Sequence, residues 1–149
     1  MRLAGLLTTI GLMTAGGIGL PAAAGADATD DLITAVTSAR AGYCEPLRFD
    51  PLAQRAAEIA LASTGDYMDF NARAVPIENV LPVLQDLGSD ATTAKLLQGA
   101  GRTEADAIRF ILISGFQDIP NCAYSRFGGT TVLNEPSGYY LTAVVLAGA

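Results

Sequence analysis

The chain has 149 residues, of which half are apolar and 16% are charged, with a net charge of −6 and no histidine. This length and apolar content indicate one globular domain rather than a disordered segment. An acidic chain without a basic cluster is repelled by phosphate backbones and anionic lipid, so no nucleic-acid partner is expected. The absence of histidine excludes nucleophilic catalysis of the Ser-His or Cys-His type.

Residues 1–26 have the pattern of a secretory signal peptide. Arg2 provides a positive start, residues 3–20 are uncharged, and the small residues 22–26 offer a cleavage site. A retained anchor is the alternative, because about 18 uncharged residues approach the length that spans a bilayer. Glycines within the stretch favour cleavage. We therefore expect a secreted, extracellular or cell-envelope protein with residues 27–149 as its single domain and no stable membrane insertion after cleavage.

The two cysteines, Cys44 and Cys122, are expected to form a disulfide. Export would bring them into an oxidising compartment, where a pair of cysteines usually bridges. Closing a loop of this length stabilises a fold by about 4–5 kcal/mol in the chain-entropy model. Two free buried thiols are the alternative.

Two helices separated by a tight connector are predicted in residues 30–61. In the first helix, Arg40 falls in the last turn, where a positive charge suits the helix dipole. The second helix begins with Asp50 as its N-cap and Pro51 in its first position, and it is predicted to end before Gly65. The apolar face of the first helix is formed by Leu32, Ala35, Val36 and Ala39.

The next part of the chain is less regular. Residues 64–78 lack clear periodicity, yet they contain apolar side chains that are expected to pack over another part of the fold. These side chains are Tyr67, Met68 and Phe70. Residues 79–101 are predicted as two short helical pieces that are split at Gly88.

The last part of the chain combines one helix with two strands. Thr103 begins a helix that ends at Gly115. Residues 122–133 and 139–147 are rich in aromatic and β-branched residues and are predicted as antiparallel strands, with a bulge or bend at the double glycine 128–129. The predicted fold class is therefore α+β: an αβα sandwich with helices packed on both faces of a small antiparallel sheet.

Three landmarks carry a resemblance to a known family. Residues 36–60 (VTSARAGYCEPLRFDPLAQRAAEIA) resemble a first helix, a proline-leucine connector and a capped second helix. Residues 77–80 (IENV) resemble the motif GENI with Ile in place of Gly. Residues 104–119 (EADAIRFILISGFQDI), followed by YSRFGGTTV and SGYYLTAVVLAG, resemble a helix ending in SPGH and two closing strands. Together these landmarks resemble the CAP superfamily, which contains the cysteine-rich secretory and pathogenesis-related-1 proteins.

The resemblance implies a secreted αβα sandwich. Many members of the family have a central cleft in which two histidines and two acidic residues hold a divalent metal. Here Gly115 and Phe116 stand where the family's SPGH motif ends in histidine, and only Glu78 matches a cleft acid. The resemblance therefore implies a cleft without the imidazole metal site, so we expect no metal and no cofactor.

The loss of histidine changes the expected cleft from polar to apolar. Tyr67, Met68 and Phe70 lie near the position of the family's first cleft histidine, and with Phe116 they are interpreted as the lining of a pocket for a hydrophobic ligand. The alternative is that they fill the former metal site as core. Glu78 either contacts ligand or stabilises a helix start. The predicted ligand-binding residues are Tyr67, Phe70, Glu78 and Phe116.

We therefore predict a secreted, non-enzymatic CAP-like domain that binds a small apolar molecule, of the lipid or sterol type, or an extracellular protein. A haem-binding protein with Tyr67 or Tyr139 as iron ligand is one alternative. A weak hydrolase based on Glu78 and Asp69 is another, if burial separates their pKa values. A Ser-Lys arrangement would need Lys95, the only lysine, in a polar helical piece. A purely structural or antigenic surface role is the remaining alternative.

Overall fold

The computed structural model describes residues 24–149, with side chains from residue 27. The predicted signal peptide thus lies outside the described residues, except for its last three positions, which begin the first helix. The described elements are α1 (Ala24–Arg40), β1 (Arg48–Phe49), α2 (Pro51–Met68), α3 (Leu81–Asp86), β2 (Thr93–Gly101), α4 (Glu104–Ser114), β3 (Arg126–Asn134) and β4 (Tyr139–Gly148).

The strands form one sheet in the order β1-β3-β4-β2. The two predicted strands, β3 and β4, are confirmed as an antiparallel pair. β2 pairs antiparallel with the other side of β4, and the short β1 pairs parallel with the start of β3. The sheet therefore has two strands more than the sequence predicted.

Helices cover both faces of this sheet, which confirms the predicted α+β sandwich. β4 lies at the centre, and its side chains alternate between two hydrophobic cores, as the strand period of two requires. Leu141 and Val145 face α2 and α3, whereas Val144 and Leu146 face α1 and α4. All four side chains are at most 2% exposed, so the apolar run in this strand is explained by burial on both faces.

The predicted helix boundaries are mostly confirmed. The Asp50 carboxylate accepts the backbone N–H of Leu52 at 2.8 Å, which caps α2. Thr103 accepts the N–H of Asp106 at 3.2 Å at the start of α4, and Gly115 ends that helix. These boundaries are predictable from sequence because a capping side chain accepts hydrogen bonds from the unpaired N–H groups of the first helical turn, and no tertiary contact is needed.

Three local predictions were wrong. Residues 93–101 form the strand β2, including Lys95, because pairing along β4 overrides their weak helical pattern. The helix α2 continues through Gly65 to Met68, since packing on β3 and β4 outweighs the roughly 1 kcal/mol that a glycine costs inside a helix. The register of β3 is continuous across Gly128, so no bulge forms there.

The double glycine instead allows close packing. A side chain on Gly128 would collide with the backbone of Ala53 and Gln54 in α2. The strand and the helix therefore touch backbone to backbone at this point, which only glycine permits.

Candidate functional site

The predicted ligand-binding residues lie on separate segments and at the surface. Tyr67 is in the last turn of α2 and is 47% exposed, and Phe70 follows that helix at 95% exposure. Phe116 lies just beyond α4 at 68% exposure, and Glu78 is exposed on the segment before α3. The expectation that the large apolar side chains of residues 64–78 pack over another part of the fold was wrong for Phe70, whereas Tyr67 and Met68 are partly buried, at 47% and 36% exposure. The binding role of the predicted residues stays a prediction.

The IENV segment is held by its backbone rather than by its acid. Ser63 Oγ accepts the N–H of Ile77 at 3.3 Å, and the side-chain amide of Gln98 donates to the Ile77 carbonyl at 3.2 Å. The amide oxygen of Gln98 in turn accepts from the Thr64 hydroxyl. Asn79 Oδ1 accepts the N–H of Leu81 at 3.2 Å, in a turn just before α3. The side chain that stabilises the turn before α3 is therefore that of Asn79, next to the predicted Glu78.

A groove opens between the C-terminal half of α2 and the ends of β3 and β4, with a volume of about 290 Å³. We call it the α2–β3 groove. Leu61 and Leu141 form a buried apolar floor, to which Val132 adds a side chain that is 44% exposed. The other lining residues are Glu58, Ala62, Gly65, Asp66, Asp69, Thr130, Leu133 and Asn134.

One end of the α2–β3 groove is a built polar corner. Asn134 is 9% exposed, and its side-chain amide donates to both carboxylate oxygens of Asp69, at 3.2 and 3.0 Å. Its amide oxygen accepts the N–H of Ser137 at 3.0 Å. This network ties the end of α2 to the β3–β4 turn, and it exists because α2 extends beyond Gly65 and brings Asp69 to the groove.

The walls of the α2–β3 groove are acidic. Glu58, Asp66 and Asp69 line it, and no lining residue is basic. Glu58 is paired with Arg55 at 2.9 Å, on the exposed side of the helix. An apolar floor with carboxylate walls disfavours an anionic ligand and accepts a neutral or positively charged one.

At the opposite end of the sheet, Arg40 is 2% exposed and bound to main-chain carbonyls. Its Nη atoms donate to Ile119, Asn121 and Tyr124 at 2.8 Å, and its Nε donates to Glu45 at 3.1 Å. Burial lowers the pKa of the guanidinium from its ordinary value. The role of Arg40 was missed from sequence, because carbonyl partners about 80 positions away leave no signal in the side-chain pattern.

The predicted disulfide between Cys44 and Cys122 is confirmed, with a Cα–Cα distance of 5.6 Å. It joins the connector after α1 to the same loop that Arg40 binds. The two features together hold residues 119–124 against the end of α1.

An acidic contact lies between α1 and α4, on the face of the sheet opposite α2. The Glu104 carboxyl has a pKa above its ordinary value, because of partial desolvation, then the charge of Asp31 and a hydrogen bond with it, and then the charge of Asp27. Because the pKa of Glu104 is raised in the folded chain, protonation of this carboxyl favours folding at low pH.

The residues of the alternative hypotheses occupy different places. Asp69 belongs to the polar corner, whereas Glu78 is not among the residues that line the α2–β3 groove. The Tyr139 ring lies under the guanidinium of Arg102, 4.8 Å from its centre. Within residues 24–149, no cluster of at least three acidic or cysteine side chains is arranged to hold a metal ion. No helix in this range has the length and hydropathy to cross a membrane.

Comparisons with known proteins establish the fold. No protein-family model matches the sequence, and no curated protein matches it. An outer surface protein from Borrelia burgdorferi is similar in structure, with a TM-score of 0.67 and 11% identity over 82% of this chain and 92% of that protein. A cysteine-rich secretory protein from Staphylococcus aureus is also similar, with a TM-score of 0.59 and 14% identity over 87% of this chain and 40% of that protein.

At these identities the likeness concerns the fold alone. The chain spans about two fifths of the length of the staphylococcal protein, so the shared fold is one part of that protein. The disulfide is consistent with an oxidising, extracellular location. The chain thus has a CAP-like fold, and its sequence contains no histidine.

Proposed function

We propose that this protein is an exported, non-enzymatic CAP-like module that binds a small apolar molecule in the α2–β3 groove. The observation that carries this proposal is the groove itself, with a floor of Leu61, Val132 and Leu141 beside the polar corner of Asp69 and Asn134. Apolar surface with a few placed polar groups is typical of small-molecule sites, and 290 Å³ lies near the lower limit of their volumes.

The charge of the α2–β3 groove narrows the ligand class. The ligand is neutral or cationic at its polar end, because a carboxylate would be brought beside Asp66 and Asp69. A sterol or an amphiphilic amine fits this requirement better than a fatty acid. The polar corner offers carboxylate oxygens that can accept from a hydroxyl or ammonium group.

Three amphiphiles with the same twelve-carbon chain test this assignment: dodecylammonium, dodecanol and dodecanoate. The full sequence, secreted from an oxidising host, is titrated with each by calorimetry. We expect dodecylammonium to bind at least as tightly as dodecanol, and both to bind about tenfold more tightly than dodecanoate. The variant Asp66→Asn should reduce the difference in affinity between dodecanoate and dodecanol, because it removes one negative charge that repels the carboxylate.

A filled groove provides the site-specific control. Ala62→Trp inserts an indole from an exposed position of α2 that lines the groove, and it should weaken dodecanol binding about tenfold. Ala105→Trp makes the same change at an exposed position of α4, on the other face of the sheet, and should leave binding unchanged. If none of the three amphiphiles binds, or if both tryptophan variants behave alike, the groove is not the ligand site.

A further inference from the structure

The strand β2 is an unpaired edge of the sheet. It runs for nine residues, Thr93–Gly101, with β4 on one side and no strand of residues 24–149 on the other. Lys95 is its only charged residue. A long edge strand with little charge is a template for pairing with another strand, and proteins usually protect such an edge.

The hydrogen-bond pattern identifies the open backbone groups. On β3, the N–H groups of Gly129 and Thr131 point away from β4, because they donate to side chains outside the sheet. Their partners Val144 and Thr142 therefore turn their backbone toward β2, since adjacent residues of a strand alternate in direction. The β2 residues left facing outward are Ala94, Leu96, Gln98 and Ala100. Outside the sheet, no described hydrogen bond uses the backbone groups of these four.

At the opposite edge of the sheet, side chains occupy the outward-facing backbone groups of β3. Gln54 Oε1 accepts the N–H of Gly129 at 3.1 Å, and Thr29 Oγ1 accepts the N–H of Thr131 at 3.2 Å. The short strand β1 covers the start of β3. Side chains from α1 and α2 thus block the β3 edge, and nothing comparable blocks the β2 edge among the described residues.

Exposed apolar side chains flank the β2 edge. α4 packs over β2 and β4 and has α1 on one flank. Successive residues of a helix are 100° apart around its axis, so Phe110 and Ile113 fall on the flank of α4 that faces away from α1. This flank overhangs the open β2 edge. They are 54% and 65% exposed, and Phe116 just beyond the helix is 68% exposed.

We propose that the β2 edge pairs with the β2 edge of a second copy of this chain, antiparallel and centred on Leu97. In this register Ala94 pairs with the partner's Ala100, and Leu96 pairs with the partner's Gln98. All four residues are the ones that face outward, so eight backbone groups on each chain find partners. Two four-stranded sheets become one continuous sheet.

The apolar flank of α4 supports a second copy as the occupant. Gly115 lies over Leu97, since a Cβ on Gly115 would approach the Leu97 side chain to 2.5 Å. Ile113 and Phe116 are therefore close to the two-fold axis and meet their own counterparts in the partner. A single foreign strand would satisfy the backbone of β2 but would leave these two side chains exposed.

The charges near the axis are compatible with this pairing. Lys95 is paired with Asp118 of its own chain at 3.5 Å, and it stands opposite the partner's Gly99, which has no side chain. The net charge of −6 on each chain opposes association at long range. The dimer should therefore become tighter as salt screens this repulsion.

Sedimentation velocity of the secreted protein over a range of concentrations tests this pairing. One strand and a few side chains from each copy make a small interface, so we expect a dissociation constant in the micromolar range. Ile113→Asp places two like charges near the axis and should weaken the dimer at least about tenfold. Tyr43→Asp adds the same charge at a 69% exposed position in the connector after α1 and should leave the dissociation constant unchanged.

Hydrogen exchange shows whether a dimer uses this edge. The amides of Ala94, Leu96, Gln98 and Ala100 should exchange quickly in the monomer and become protected as the dimer forms. A dimer that leaves these amides unprotected, or that Ile113→Asp does not weaken, overturns the assignment. A chain that stays monomeric at all concentrations overturns it too, including the case in which the edge binds an extended peptide of another protein. None of these results depends on a ligand in the α2–β3 groove.

Discussion

The two ends of the central sheet are built on opposite electrostatic and packing principles. At the end where α1 finishes, a buried cation, Arg40, binds four carbonyls beside the Cys44–Cys122 disulfide. At the other end, α2 finishes at exposed aromatic side chains, and carboxylates line the α2–β3 groove. The acidic contact of Glu104 with Asp31 lies at this end as well. The first end is closed by covalent and hydrogen-bonded links, whereas the second leaves apolar and acidic surface open to solvent.

Among changes at the two ends of the sheet, removal of the disulfide should have the largest effect on the free energy of unfolding. The variant with Cys44→Ser and Cys122→Ser opens a loop of 78 residues, and we expect its free energy of unfolding to fall by about 4 kcal/mol. Urea denaturation measures the loss. Reductant should lower the stability of the parent protein to the same level and have no effect on the variant. A loss below about 1 kcal/mol would mean that the closed end is held by other contacts.

Replacement of Arg40 should rank second. Arg40→Met leaves buried carbonyls without a donor, and we expect a loss of about 3 kcal/mol in the same assay. Arg40→Lys should recover only part of it, because an ammonium has no planar fork of donors. Since Arg40 and the disulfide hold the same loop, their combined loss should be smaller than the sum of the separate losses. Strict additivity would show that they stabilise different segments.

The smallest effect should come from the acidic contact at the open end. The folded-state pKa of Glu104 is raised, so its protonated form favours folding. This stabilisation is fully present below the unfolded-state pKa of about 4.3 and is lost as pH rises through the folded-state pKa. Glu104→Gln should therefore raise the free energy of unfolding at pH 7 by a few tenths of a kcal/mol.

The same variant should change nothing at pH 3, where Glu104 is already protonated. Thermal unfolding at both pH values measures the difference. A destabilisation of Glu104→Gln at pH 7 would contradict a repulsive contact between Glu104 and Asp31.

Features with local causes were predictable from the amino-acid sequence. Asp50 and Thr103 begin helices because their side chains cap the backbone next to them. β4 was predicted from a run of apolar residues that is too continuous for a strand with one wet face. The disulfide followed from the expected compartment and from the presence of only two cysteines.

Features that depend on partners distant in the chain were decided by the tertiary structure. Residues 93–101 became a strand because β4 supplied an edge to pair with, and α2 passed through Gly65 because the sheet supported its last turn. Arg40 has the sequence pattern of a helix-terminal charge, yet carbonyls about 80 residues away made it a buried anchor. The sequence by itself therefore determined the fold class and the starts of α2 and α4. The α2–β3 groove and the open β2 edge arose only where these elements met, because their shape and charge depend on contacts between segments that are distant along the chain.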